Sequence, residues 1–359
     1  MRFGIYVEMQ NPQIRHKPHD QLYHEVLEQI IAADRAGFYS FSTLEHHWFE
    51  EFSISTNPLA LFAAAAQHTR SIRFRTCSHV LPLHNPMVFA GQLAVADILT
   101  GGRLEVSFGR GHAWVYPKAS IPLEESRGRF EEALEILERA WKSDAFSYQG
   151  KYYQVENVRI VPKPLQRPHP PLFGGGASNH NYELAGRKGW GVVVTPMLPL
   201  SHVQSQLEIY RQACRAHGHK PYIVFIQAVY LDRDPVRALE EAEPYIRQFM
   251  VGNVSPSAEM PPREELMAKD FGFYASGALE ALASIPYRQL VDEEYVWVGS
   301  PSQVAEKVDQ VIKDCPGLEE ISVLCTYGGM EQWRTLRNQE LFSLEVMPHF
   351  QSATSMAAV

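Results

Sequence analysis

The sequence predicts a closed parallel α/β barrel of eight βα units, the (β/α)8 or TIM-barrel class. Strand and helix patterns alternate from the first residue, and alternation with right-handed crossovers implies a parallel sheet. About eight such units can be counted, which favours a closed barrel over an open doubly wound sheet. The chain has 359 residues, 45% of them hydrophobic. That length alone allows two domains, but α/β barrels often run this long as one. We therefore expect one barrel domain over residues 1–350 and a frayed tail at 351–359.

The elements follow in order. Phe3, Ile5 and Val7 alternate as a strand, and residues 21–36 carry Leu22, Val26, Ile30 and Ile31 on one helical face, with Gly37 just beyond. Tyr39-Ser40-Phe41-Ser42 is the second strand and 58–66 a well-buried helix. A third strand spans 72–78, then a helix 88–99 stopped by Gly101-Gly102, and a fourth strand 104–109. A helix at 126–141 leads to a small hairpin around Gly150. A Pro-rich connection leads to the short fifth strand at Leu172-Phe173. Helix 180–187, strand 191–195, helix 202–217 and strand 222–231 complete seven strands. Residues 235–250 look helical. From about 251 to 290 the pattern is irregular and rich in Gly, Pro and Met, so it reads as an insertion after the seventh strand; such segments are often lids or binding loops. Helix 302–314, strand 321–325 and helix 331–346 close the chain.

A net charge of −8, with Lys and Arg dispersed, argues against nucleic acid. No apolar run approaches the roughly 20 residues that span a bilayer, and the N-terminus enters a strand at once, without the regions of a signal peptide. The expectation is a cytoplasmic protein with no membrane partner. Cys77, Cys214, Cys315 and Cys325 form no CxxC pair and no zinc-like spacing, so they read as reduced core thiols. No metal site is expected: His46 and His47 are adjacent and would point to opposite faces of a continuing strand.

In such barrels the chemistry gathers at the C-terminal ends of strands. Thr43-Leu44-Glu45-His46-His47 lies there, and histidine suits proton transfer near neutral pH. A buried histidine with a satisfied hydrogen bond, or a solvated one, is the alternative for any one imidazole. Arg110 follows the fourth strand between Gly109 and Gly111. Arg127 lies in the first turn of a helix, where a cation is unfavourable for the helix dipole unless an anion binds or a nearby Glu pairs with it. Phe173-Gly174-Gly175-Gly176-Ala177-Ser178 follows the fifth strand and opens a helix, where backbone N–H groups favour negative charge; ordinary capping is the alternative. Neither GxGxxG nor GxxxxGK[ST] is present. Two guanidiniums with a Gly-rich helix start suit one phosphate monoester.

Taken together, Met1-Arg2-Phe3-Gly4, Thr43-Leu44-Glu45-His46-His47, Thr100-Gly101-Gly102-Arg103-Leu104, Phe108-Gly109-Arg110-Gly111, Glu124-Glu125-Ser126-Arg127, the Gly174-to-Ser178 turn and Val298-Gly299-Ser300-Pro301-Ser302-Gln303-Val304 resemble, in order, the bacterial luciferase-like flavin monooxygenase family. The resemblance implies a (β/α)8 barrel and a monooxygenase that uses reduced FMN from a separate flavin reductase. With dioxygen it forms a flavin hydroperoxide and oxidises a small, partly apolar substrate. It implies His46 as the catalytic position and Arg110, Arg127, Gly175, Gly176, Ala177 and Ser178 as the phosphate site. Cys77-Ser78 falls where a non-prolyl cis peptide lies under the flavin ring, and a homodimer is expected. One departure is Gly109, where true luciferases carry a reactive cysteine; it weakens a light-emitting assignment. A deazaflavin-dependent hydride-transfer oxidoreductase on the same barrel, a non-enzymatic flavin-binding protein and an inactive partner subunit are the rival readings. Phe271, Phe273 and Tyr274 either line the underside of a lid or pack on the barrel.

Overall fold

The computed structural model describes residues 1–350 apart from Ala177, Thr195 and Asp270; the expected tail 351–359 lies outside the described residues. Eight parallel strands form the barrel: β1 (Arg2–Val7), β2 (Ser40–Thr43), β3 (Arg73–Thr76), β4 (Leu104–Gly109), β5 (Leu172–Gly174), β6 (Gly191–Val193), β7 (Ile223–Leu231) and β8 (Leu318–Leu324). Each pairs with its sequence neighbour, and β8 returns to β1, where Phe3 lies opposite Ile321. The strands are buried almost throughout, and all nine residues of β7 are inside. That is the signature of a parallel sheet covered on its outer face by helices.

The helices on that face are α1 (His19–Arg35), α2 (Pro58–Ala66), α3 (Pro86–Leu99), α4 (Ser126–Lys142), α5 (Asn179–Lys188), α6 (Leu200–Ala216) and α7 (Pro235–Val254). Their starts are set by local chemistry. The side chains of Asn57, Asn85, Ser178 and Asp234 each accept from backbone N–H groups of the following turn, which satisfies donors that a helix leaves unpaired. Gly189 ends α5 in the left-handed conformation.

The barrel interior is partly ionic. The Arg75 guanidinium donates to Glu105 Oε2 at 2.8 Å and to both Glu320 oxygens at 2.8 Å. β3 and β8 are separated by β1 and β2, so this side chain crosses the interior. Ser40 and Ser322 donate to Glu320 at 2.5 and 2.8 Å. Gly4 on β1 leaves the room: a Cβ there would run into Ser40 Oγ, Glu320 Oε1 and Ser322 Oγ. Burial opposes the Arg75 charge, but Glu105 and Glu320 outweigh it and hold the guanidinium ionised.

Two expectations need correction. The third strand does not run through residue 78. It stops at Thr76, the Cys77–Ser78 peptide is cis, and His79–Val80 then pairs with Phe108 and Gly109 of β4. The stretch from Val251 to Pro286 is not irregular. α7 continues to Val254, and after a 3-10 turn (Ser255–Glu259) come α8 (Arg263–Ala268), α9 (Gly272–Ala275), α10 (Ala278–Ser284) and α11 (Tyr287–Asp292). Pro256, Pro262, Gly272, Gly277 and Pro286 cut this segment into helices too short for a 3.6-residue period to show. A strand, Val296–Gly299, then pairs with the end of β7. α12 (Pro301–Asp314), opened by a Ser300–Gln303 capping box, and α13 (Gln332–Glu345) flank β8.

Candidate active site

A cavity of about 550 Å³ opens at the C-terminal ends of the strands, within the range of small-molecule sites. Its wall gathers Cys77, Ser78, Arg110, Gly175, Gly176 and Ser178. Six of the expected site residues, drawn from β3, β4 and β5, therefore meet in one place. Ala177 lies outside the described residues.

The glycines are there for steric reasons. Gly176 has φ +94°, a conformation open to glycine and strained for other residues. A Cβ on Gly175 would collide with Ser78 Oγ, so the β5 turn packs directly on the cis peptide. Ser78 and Ser107 share a hydrogen bond of 2.7 Å, and Asn181 Nδ2 donates to the Gly175 carbonyl at 2.7 Å. Ser178 caps α5 by accepting from Asn181 N, which leaves its hydroxyl hydrogen as a donor.

Arg110 is buried. Its Nη1 meets Ser126 Oγ at 3.4 Å, and its guanidinium stacks over Phe271 at 4.4 Å. Burial and the neighbouring Arg127 guanidinium both push its pKa down. Arg127 also lowers the pKa of His180, after burial. The start of α4 and the start of α5 thus bring positive charge to one rim of the cavity.

His46 is fully buried and stands one layer behind the cavity wall. Its ring packs on Phe52 at 4.2 Å, with His112 at 5.7 Å and Trp114 at 6.1 Å between centroids; Phe52, His112 and Trp114 line the cavity. Trp114 Nε1 donates to His46 Nε2 at 2.9 Å, so the ring proton of the neutral form sits on Nδ1. Burial first, then His112 and His47, hold its pKa well below the usual histidine range, against the Ser53 backbone and Glu45.

Glu45, not His46, is the hub of the histidines. It accepts from His47 Nε2 at 2.8 Å, His79 Nδ1 at 2.8 Å and His84 Nε2 at 2.9 Å, and from the Val80 backbone at 3.2 Å. Burial opposes its charge, but these bonds from His47, His79 and His84 hold its pKa well below the carboxylate range. Glu45, His79 and His84 also lie close enough together to share a metal ion. The adjacent pair His46-His47 does not converge, in keeping with the geometry of neighbouring residues.

Sequence reasoning missed several cavity residues. His112 faces the cavity, stacks on Trp114 at 4.3 Å and hydrogen-bonds the Tyr274 hydroxyl at 2.8 Å; burial drops its pKa to about 4. Phe271, Phe273 and Tyr274, which the sequence had already singled out as either a lid underside or barrel packing, line the cavity from α9 and its start. Glu8 and Tyr6 enter from β1, with Phe249, Met250 and Asn253 from α7. His112 and Glu8 follow strand ends, a signal that placement alone offered. The α7 residues had none.

The chain belongs to the luciferase-like monooxygenase family, whose model matches residues 1–315. It is 30% identical over 237 residues to the oxygenase component of flavin-dependent trigonelline monooxygenase of Acinetobacter baylyi, covering 64% of this chain and 65% of that protein, just under two thirds of that relative's length. It is 26% identical to the alkanal monooxygenase alpha chain of Photobacterium leiognathi over 353 residues, 93% of this chain and 96% of that one. The crystal structure of the monooxygenase RslO1 from Streptomyces bottropensis matches with a TM-score of 0.83 at 28% identity, covering 98% of this chain and 100% of that chain.

Proposed function

We propose that this chain is the oxygenase of a two-component flavin-dependent monooxygenase, taking reduced FMN from a separate reductase and oxidising a small, partly apolar organic molecule. The observation that carries this is one cavity that joins a cationic rim to an apolar interior: Arg110, Gly175, Gly176 and Ser178 at one side, Phe249, Met250 and Phe271 at the other. The relatives' flavin dependence supports it.

The residues present fit the cofactor. Arg110 and Arg127 with the Ser178 hydroxyl suit a phosphate dianion, whose charge relieves two cations set side by side. The close approach that Gly175 makes to Ser78 would leave the Cys77–Ser78 peptide to hold the flavin ring. When bound and reduced, the flavin supplies the activation of dioxygen. The protein excludes water with Phe52, Trp114, Phe271 and Tyr274. α8 to α10 act as the lid over this cavity. His46 holds the mobile proton. Being neutral, it can accept a second one only at Nε2, after Trp114 withdraws.

We further propose a cytoplasmic homodimer, a state that size-exclusion chromatography with light scattering reads directly. Among the described residues no helix is long and apolar enough to cross a membrane.

Anaerobic mixing of the apoprotein with reduced FMN, then with oxygen, tests the reading. The expected result is tight binding and flavin reoxidation much slower than for free reduced FMN. Reoxidation at the free rate, or preferential binding of a deazaflavin in a parallel titration, overturns it.

A further inference from the structure

Glu8 follows β1 and is 4% exposed, yet it lines the cavity. Its Oε1 accepts from the Tyr6 hydroxyl at 3.3 Å. Its Oε2 is shut off from solvent and has no hydrogen-bond partner, because the neighbouring Asn253 amide donates instead to the Phe249 carbonyl at 3.0 Å. Buried polar atoms are nearly always paired, and a charged carboxylate held in such surroundings is strongly disfavoured. An unpaired carboxyl oxygen shut in beside a cavity is satisfied when the side chain turns it toward an arriving ligand. The surroundings say which kind. Ile226, Phe249, Met250 and Val254 are apolar, and Tyr6 and Asn253 are neutral. β1 and β5 lie four strands apart in a ring of eight, so Glu8 faces the cavity from the rim opposite the Gly175–Ser178 turn.

We infer that Glu8, flanked by Tyr6 and Asn253, is the polar end of the substrate compartment and donates a hydrogen bond from its carboxyl to a neutral carbonyl oxygen of the bound molecule. This rests on the monooxygenase reading and names the substrate class for it: an apolar body bearing one neutral acceptor oxygen. Burial pushes the Glu8 pKa up to about 8, against the Tyr6 hydroxyl and the Asn253 amide, which favour the ionised form. At pH 7 the group is therefore mostly a donor. The other titratable groups facing this part of the cavity stay fixed across the relevant range. Tyr6 from β1 is raised well above 10 and Cys77, after β3, to about 12. Glu45, after β2, remains ionised, and His112, after β4, loses its proton near pH 4. His79, also after β3 on the cavity wall, is held below the ordinary histidine value by burial, so Glu8 is the group among these whose charge follows pH upward through about 8.

The test titrates the FMN-loaded protein with acetophenone, with ethylbenzene as the same shape without the oxygen, and with N-methylpyridinium as a cation. Acetophenone should bind at pH 6 and weaken about 10- to 30-fold by pH 9.5, following the loss of the protonated carboxyl. Ethylbenzene should show no such dependence. Glu8→Gln keeps an N–H donor, so its acetophenone affinity should become independent of pH, whereas Glu8→Leu should bind acetophenone no better than ethylbenzene. In the wild type, infrared difference spectra should show the protonated carboxyl stretch, absent from Glu8→Gln, shifting when acetophenone binds. Acetophenone affinity that is flat with pH in the wild type, or unchanged in Glu8→Leu, overturns the inference. N-methylpyridinium tightening above pH 8 overturns it in favour of a cation site. Anaerobic titration of the same preparations with reduced FMN separates the two levels: intact binding of reduced FMN with acetophenone indifferent to Glu8 overturns this inference alone, and absent binding of reduced FMN overturns the monooxygenase reading.

Discussion

Trp114 Nε1 donates to His46 Nε2 at 2.9 Å, and this bond occupies the one nitrogen at which a neutral, buried His46 can take up a proton. Trp114 itself lines the cavity. The indole therefore stands between the imidazole and the cavity, and sets the tautomer of the neutral ring.

His46→Ala should lower oxygenation by about 10²- to 10⁴-fold, the usual range for a lost acid–base group, with FMN affinity nearly unchanged. Trp114→Phe keeps most of the ring packing and frees Nε2, so it should raise the His46 pKa and move the acid limb of the pH–rate profile upward. An unmoved profile in Trp114→Phe, read by steady-state kinetics across pH, would separate the indole from the proton path.

Arg110→Ala and Arg127→Ala should each weaken FMN binding by about 10- to 150-fold, the scale of a lost charge-assisted hydrogen bond. Fluorescence titration with FMN and with riboflavin checks the cause: riboflavin lacks the phosphate, so its affinity should hardly respond. Equal losses for both ligands would move the arginines away from the phosphate.

Gly175→Ala forces its Cβ onto Ser78 Oγ. Overpacking of this kind costs about 1–3 kcal/mol, and it separates the β5 turn from the Cys77–Ser78 peptide. Both the urea midpoint and the flavin affinity should fall, and Ser78→Gly should restore part of each.

Glu45 sets a pH dependence of stability. Its folded pKa lies well below the ordinary 4.5, so its contribution is fully present above pH 4.5 and is lost as pH falls toward the folded value. Glu45→Gln should be less stable than the wild type at pH 7, and the difference should shrink below pH 4.5. Thermal melts at pH 7, 5 and 3.5 measure this directly.

Arg75→Met leaves the buried Glu320 without its counter-charge, while Glu105 keeps its ion pair with Arg73. Removing one partner of such a network typically costs about 3–5 kcal/mol. Urea unfolding reads the loss, and Gly4→Ala, which crowds the same oxygens, should also destabilise.

The order and kind of the barrel elements were legible in the chain because strand and helix periods are local properties. Phe3, Ile5 and Val7 state a strand without any neighbour, and Gly174 to Ser178 state a turn and a cap. Arg110, Gly175, Gly176, Ser178, Cys77 and Ser78 could be placed at the same end because every parallel strand finishes on the same rim. The helices α8 to α11 were not legible, since each is shorter than the two turns a period needs.

Sequence alone determined the barrel, the cationic rim and the glycine turn beside it. Only the tertiary structure decided that His46 stands behind Trp114, that Glu45 gathers His47, His79 and His84, and that Arg75 spans the interior to Glu320, some 245 residues away in the chain. Period and turn chemistry act over a few residues, whereas burial, charge pairing and the side of a cavity a group faces come from strands that meet only when the ring closes. For that reason the chain offered nothing on Glu8 beyond its place after a strand, and only the closed barrel makes it a buried acid with one unpaired oxygen.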